Sequence, residues 1–131
     1  MASTLKEKHT MFTNALASLN ELVDGTKTDK VTRDATIQRF EYTVEAFWKL
    51  LKLYLFEHEG VDVGTPKSVF RETGNAGLLS EPEIVLALTM IDDRNETVHL
   101  YNEPLAEEIH KTIPRYRDLM RDVSARLQMD A

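Results

Sequence analysis

The chain has 131 residues and no cysteine, which excludes disulfide staples and thiolate metal sites, and its length is enough to bury an apolar core without them. A net charge of −6 argues against holding duplex nucleic acid through an overall field and leaves only local basic patches for that purpose. The opening "MASTLKEKHTMF" has no apolar run like a signal peptide, and no stretch approaches the ~20 apolar residues of a membrane span, so a cytoplasmic protein without a membrane partner is expected.

Helical periodicity dominates, and no long alternating strand pattern interrupts it. Leu5, Phe12, Leu16, Leu19 and Val23 place a first helix over residues 3–23, and "DGTKTDK" ends it, with Gly25 as the stop. Ile37, Phe40, Val44, Phe47, Leu51 and Tyr54 or Leu55 form a wide apolar stripe on a long second helix over about residues 31–58, with Trp48 on its flank. "HEGVDVG" ends that helix. A short helix over residues 66–76 follows, with Thr65 as N-cap, Pro66 in the first turn and Gly77 as the stop.

Ser80 and Glu83 form a capping box at the start of the fourth helix, and Pro82 is harmless in its first turn. The pattern predicts that this helix runs to about Leu100. Asn102 then caps a fifth helix from Glu103, carrying Leu105, Ile109, Ile113, Leu119, Met120, Val123 and Leu127, with a kink expected at Pro114. Four long helices with short connections predict an all-α fold. The expected form is one domain over residues 1–131, an antiparallel four-helix up-and-down bundle with an additional short helix.

Two groups of basic residues stand out. Lys27, Lys30, Arg33 and Arg39 lie around the start of the second helix, and Lys111, Arg115, Arg117, Arg121 and Arg126 lie near the C-terminus. Both read as solvated faces with nearby acidic partners such as Asp118 and Asp122.

The segment "DDRNETVHLYNE", from Asp92 to Glu103, poses the functional question. If the fourth helix buries Ile84, Leu88 and Ile91, its next inward positions are Asn95, Val98 and His99, with Asp92 at the edge. Arg94 and Tyr101 lie together on the adjacent flank. Polar groups on an inward stripe need partners, so the pattern predicts a pocket, a wet cleft or a symmetric contact with another chain. The competing reading is a frayed helix end that His99 simply caps.

A metal site is the tempting alternative. Glu96-x-x-His99 and Glu107-x-x-His110 have the spacing of di-iron carboxylate bundles, but Glu96 sits at the far edge of the inward face and Glu107 faces outward. The expectation is therefore no metal and no other cofactor. There is no glycine-rich phosphate loop, no Walker lysine and no nucleophile elbow.

The Arg-x4-His-x-Tyr pattern of Arg94, His99 and Tyr101 resembles the HEPN superfamily, in particular the toxin branch encoded beside minimal nucleotidyltransferases. "RDATIQRFEYTVEAFWKLLKLYL", "TPKSVFRETGNAGLL" and "DDRNETVHLYNE" together are similar to the subfamily called nucleotidyltransferase substrate-binding proteins. The resemblance implies a helical bundle that pairs into a homodimer, with the motif at a cleft between subunits. It implies a metal-independent ribonuclease acting on an RNA substrate, with Arg94 and His99 catalytic and with Asn95 and Asp92 in support. It further implies that a partner minimal nucleotidyltransferase neutralises the toxin by transferring AMP to Tyr101. The older family name implies a second role, a non-catalytic subunit that binds a nucleotide or other substrate for the partner enzyme. On an ideal helix Arg94 and His99 project about 140° apart, so joint action on one phosphate needs a reaching arginine, a distorted helix or a second subunit.

Overall fold

A computed structural model describes residues 3–129. Five α-helices follow one another: α1 Leu5–Val23, α2 Lys30–Glu59, α3 Pro66–Asn75, α4 Glu81–Glu96 and α5 Glu103–Ser124. No strand occurs among the described residues. Each helix begins on a side-chain cap that supplies an acceptor for an otherwise unpaired N–H: Thr4, Asp29, Thr65, Ser80 and Asn102. The Thr4–Glu7 capping box was as legible in the sequence as the Ser80–Glu83 box. Gly60 and Gly77 stop α2 and α3 at φ of 66° and 82°, the left-handed conformation that glycine adopts without Cβ strain.

Side-chain pairs set the helix directions. Thr43 donates to the Ala15 carbonyl, Tyr42 bonds Ser18, and Arg39 reaches Glu21, so α1 and α2 run antiparallel. Tyr116 donates to Asp93 and Arg126, just past α5, clamps Glu83, so α4 and α5 also run antiparallel. Arg33 meets Glu103 and Glu107, while Phe40 stacks on Tyr116 with ring centres 5.5 Å apart, so α2 and α5 are parallel. This is the up-and-down four-helix bundle of α1, α2, α4 and α5, with the short α3 laid against α2 and α4. Gly74 in α3 makes that last contact close: a Cβ there would lie 2.3 Å from Ile84 Cδ1. The core is one cluster in which Phe12, Phe47 and Phe70 join α1, α2 and α3. No described helix is long and apolar enough to cross a membrane. α5 continues as one helix through the exposed Pro114.

Arg33 corrects the reading of the basic groups as solvated faces. It is 2% exposed and donates to Glu103 at 2.7 Å and Glu107 at 2.9 Å, with Asp34 beside it. These bonds keep the buried guanidinium charged and tie the start of α2 to the start of α5. Replacing Arg33 by alanine is expected to cost about 2 kcal/mol, as removal of a buried hydrogen-bond network does. A urea-unfolding midpoint close to that of the parent protein would contradict this. The C-terminal arginines are also largely committed: Arg117 pairs with Asp24 and Asp118, and Arg121 with Asp118 and Asp122.

Arg126 and the Ser80 N–H hold the Glu83 carboxyl down, from 4.5 to about 2. A lowered folded-state pKa adds stability that is complete above the unfolded value and is lost as pH falls through the folded one. The clamp is partly solvated, so roughly 1–2 kcal/mol is expected at neutral pH. The stability gap between the parent protein and Glu83→Gln should therefore close as pH falls from 4.5 toward 2, and a gap constant over that range would refute the assignment.

Candidate functional site

The α-helical part of the fourth helix ends at Glu96, four residues short of the expected Leu100. The chain then tightens into a 3₁₀ turn over Thr97–His99. The buried Thr97 side chain donates to the Arg94 carbonyl at 2.6 Å and anchors this tightening. The same carbonyl accepts the Thr97 backbone N–H, so both donors of Thr97 close the tightened turn on Arg94.

This ending changes which face looks inward. The buried residues of α4 are Ala87, Met90 and Ile91, and Thr97 continues the line. Asn95 and His99, expected on the inward stripe, are both exposed. The expectation followed the branched residues Ile84 and Leu88 and passed over Ala87 and Met90, which fill the core at that level. Besides the buried Thr97, the half-buried Asp93 meets the core, where it accepts from the buried Tyr116 hydroxyl of α5. Burial first, and then the Asp93 carboxylate, push the Tyr116 phenol well above its ordinary range, so it stays a neutral donor.

Arg94 turns toward α2. Its Nε lies 3.2 Å from Glu45 Oε1, and its side chain is 26% exposed. That Nε is buried and out of line for a hydrogen bond, so the guanidinium is held by charge rather than by a saturated set of bonds. The other Glu45 oxygen accepts from Trp48 Nε1 at 3.2 Å. Asp92 is engaged elsewhere, in a 2.7 Å ion pair with Lys67 of α3. Asn95 projects to solvent.

His99 and Tyr101 form a separate pair. His99 Nδ1 lies 3.0 Å from the Tyr101 hydroxyl, and the rings meet edge to face. Tyr101 is 81% exposed and the neighbouring Val98 is 70% exposed. The tighter 3₁₀ steps change the ideal separation of Arg94 and His99 from about 140° to nearly 180°. The local distortion thus swings the two residues further apart. Within one chain, Arg94 faces α2 and His99 faces solvent with Tyr101.

The spaced Glu and His residues do not converge on a metal site. Glu107 is bonded to Arg33, and no group of three or more His, Asp or Glu side chains among the described residues could hold a metal ion. Sequence reasoning passed over Glu45 and Asp93, both of which act through contacts between helices, and gave Trp48 only a place on the flank of the second helix. The only signal for Asp93 was its place next to the motif. None existed for Glu45, whose partner lies 49 positions along the chain.

The chain is similar to a solved protein of Thermus thermophilus, with 52% identity over 90% of this chain and 99% of that one, at a TM-score of 0.87. No curated protein matches it. The family model described as nucleotidyltransferase substrate binding protein like matches residues 7–129, and these cover nearly the whole bundle together with the Arg94–Tyr101 segment: the chain belongs to the nucleotidyltransferase substrate-binding protein family.

Proposed function

We propose that the protein is a HEPN-type toxin that cleaves RNA as a homodimer without a metal, and that a partner minimal nucleotidyltransferase silences it by transferring AMP to Tyr101. The observation that carries this reading is the outward-facing His99–Tyr101 pair, 3.0 Å apart, at the end of a 3₁₀ turn with an exposed Val98. A protein that needed these residues only for folding would bury them. A second copy apposed across a twofold axis would cover Val98, an apolar surface of the kind that contacts conceal, and would bring its own arginine and histidine to the site.

In that site one His99 takes the proton from the ribose 2′-hydroxyl. The oxygen attacks the adjacent phosphorus, and the other His99 returns a proton to the departing 5′-oxygen, leaving a 2′,3′-cyclic phosphate. An imidazole can serve in either role near neutral pH. Arg94 supplies a fixed planar cation against the charge that builds on phosphorus, and Glu45 keeps it oriented until RNA arrives. Asn95 and Asp92 would act from outside, Asn95 as a solvent-facing polar contact and Asp92 by bracing α4 against Lys67.

One observation favours a second reading, a non-catalytic subunit that binds a nucleotide for the partner enzyme. Arg94 is already paired with Glu45 and lies on a different side from His99. Growth separates the two. Expression of the chain alone should arrest cells, and co-expression of the partner nucleotidyltransferase should relieve the arrest; unaffected growth in both cases would favour the binding subunit.

A further inference from the structure

A groove of about 550 Å³ runs between the beginning of α1 and the second half of α2, lined by Lys8, Trp48, Lys49, Lys52 and Phe56 and rimmed by Asp62. We propose that this groove receives one nucleotide unit of a single-stranded RNA, with its base against Trp48 and Phe56 and its phosphate among the three lysines. The proposal rests on the RNA reading above and extends it to residues outside the motif.

Four observations support it. First, three ammonium groups meet one lining carboxylate on a chain whose net charge is −6, so the groove is locally basic against the field of the whole molecule. Lys52 stands 3.6 Å from Asp62 and Lys49 3.8 Å from Glu45, both loose pairs that an anion can displace. Second, Phe56 is 55% exposed, and the Trp48 indole is tethered through its Nε1 to Glu45. A ring already held in place makes a stacking platform with little ordering cost, and an unpaired base stacks on it whatever its sequence. Third, the volume lies in the ~300–1,000 Å³ range of small-ligand clefts, and a duplex would have to unstack to offer a base to it. Fourth, Glu45 joins this groove to the candidate site, since one of its oxygens holds Trp48 and the other holds Arg94. That shared carboxylate puts Trp48, on the wall of the groove, on the same stretch of α2 that Arg94 faces.

Trp48 is the only tryptophan in the chain, so its fluorescence reports on the groove directly. The titration uses full-length protein carrying His99→Ala, so that the RNA stays intact. A short single-stranded oligoribonucleotide should quench Trp48 saturably, with an affinity that falls as salt rises. Adding Lys49→Ala and Lys52→Ala should weaken binding about tenfold at low salt and flatten the salt dependence. Quenching by AMP as tight as by the oligomer would overturn the strand assignment in favour of a free-nucleotide pocket. Emission that changes with protein concentration but not with RNA would overturn it in favour of a contact between two copies. RNA that binds by anisotropy without quenching Trp48 would overturn the groove and leave the RNA reading standing. Saturable quenching together with an unmutated protein that leaves RNA uncut would keep the groove and remove the ribonuclease.

Discussion

His99→Ala is expected to lower RNA cleavage by ~10²–10⁴-fold, the usual contribution of a positioned acid or base. The side chain is exposed and its one hydrogen bond is to Tyr101, so the bundle should unfold at the same denaturant concentration as the parent protein. The loss is then chemical and not structural. A stricter version joins two copies in one polypeptide and removes His99 from only one. If one imidazole is base and the other acid, a single replacement should lose nearly as much as both. Half the parent rate would indicate two independent sites, and an undiminished rate in the fully substituted protein would remove His99 from catalysis altogether. The parent protein's product should carry a 2′,3′-cyclic phosphate, readable by its resistance to a phosphatase until the ring is opened.

The second large effect concerns Tyr101. Incubation with the partner nucleotidyltransferase and ATP should add AMP to the parent protein and none to Tyr101→Phe, as read by mass spectrometry of the intact chain. The phenol is 81% exposed, so a transferring enzyme can reach it without unfolding anything. The geometry around Tyr101 bears on how the modification would silence the protein. Within one chain Arg94 points to Glu45, so the added phosphate would not sit against that chain's own arginine. It would sit on the oxygen now 3.0 Å from His99 Nδ1, taking away that hydrogen bond and crowding the imidazole. Tyr101→Phe should therefore retain cleavage while becoming insensitive to the partner. AMP persisting on the phenylalanine variant would place the acceptor elsewhere.

Much of the fold could be read along the chain. Caps at Thr65, Ser80 and Asn102, stops at Gly60 and Gly77, and the apolar stripe of α2 are local features, and each structure-forming signal lies within a few residues of its effect. The end of α4 was not legible in this way. Nothing in "RNETVHLY" marks Glu96 as the last α-helical residue, because the tightening depends on Thr97 being buried among other helices.

The same division holds for the site. Sequence by itself determined that Arg94, His99 and Tyr101 lie together in one short segment, that the chain is a helical bundle, and, through three blocks of sequence in order, which family it belongs to. Tertiary structure alone decided which way those residues point. The direction of a side chain at a helix end follows from what the neighbouring helices fill and from the charges they offer. Ala87, Met90 and Thr97 fit the core, Glu45 draws Arg94 toward α2, and the 3₁₀ turn leaves His99 and Tyr101 facing outward together. Helical periodicity counts rotation along one axis, whereas these contacts join residues tens of positions apart, and only the packed bundle brings them within reach.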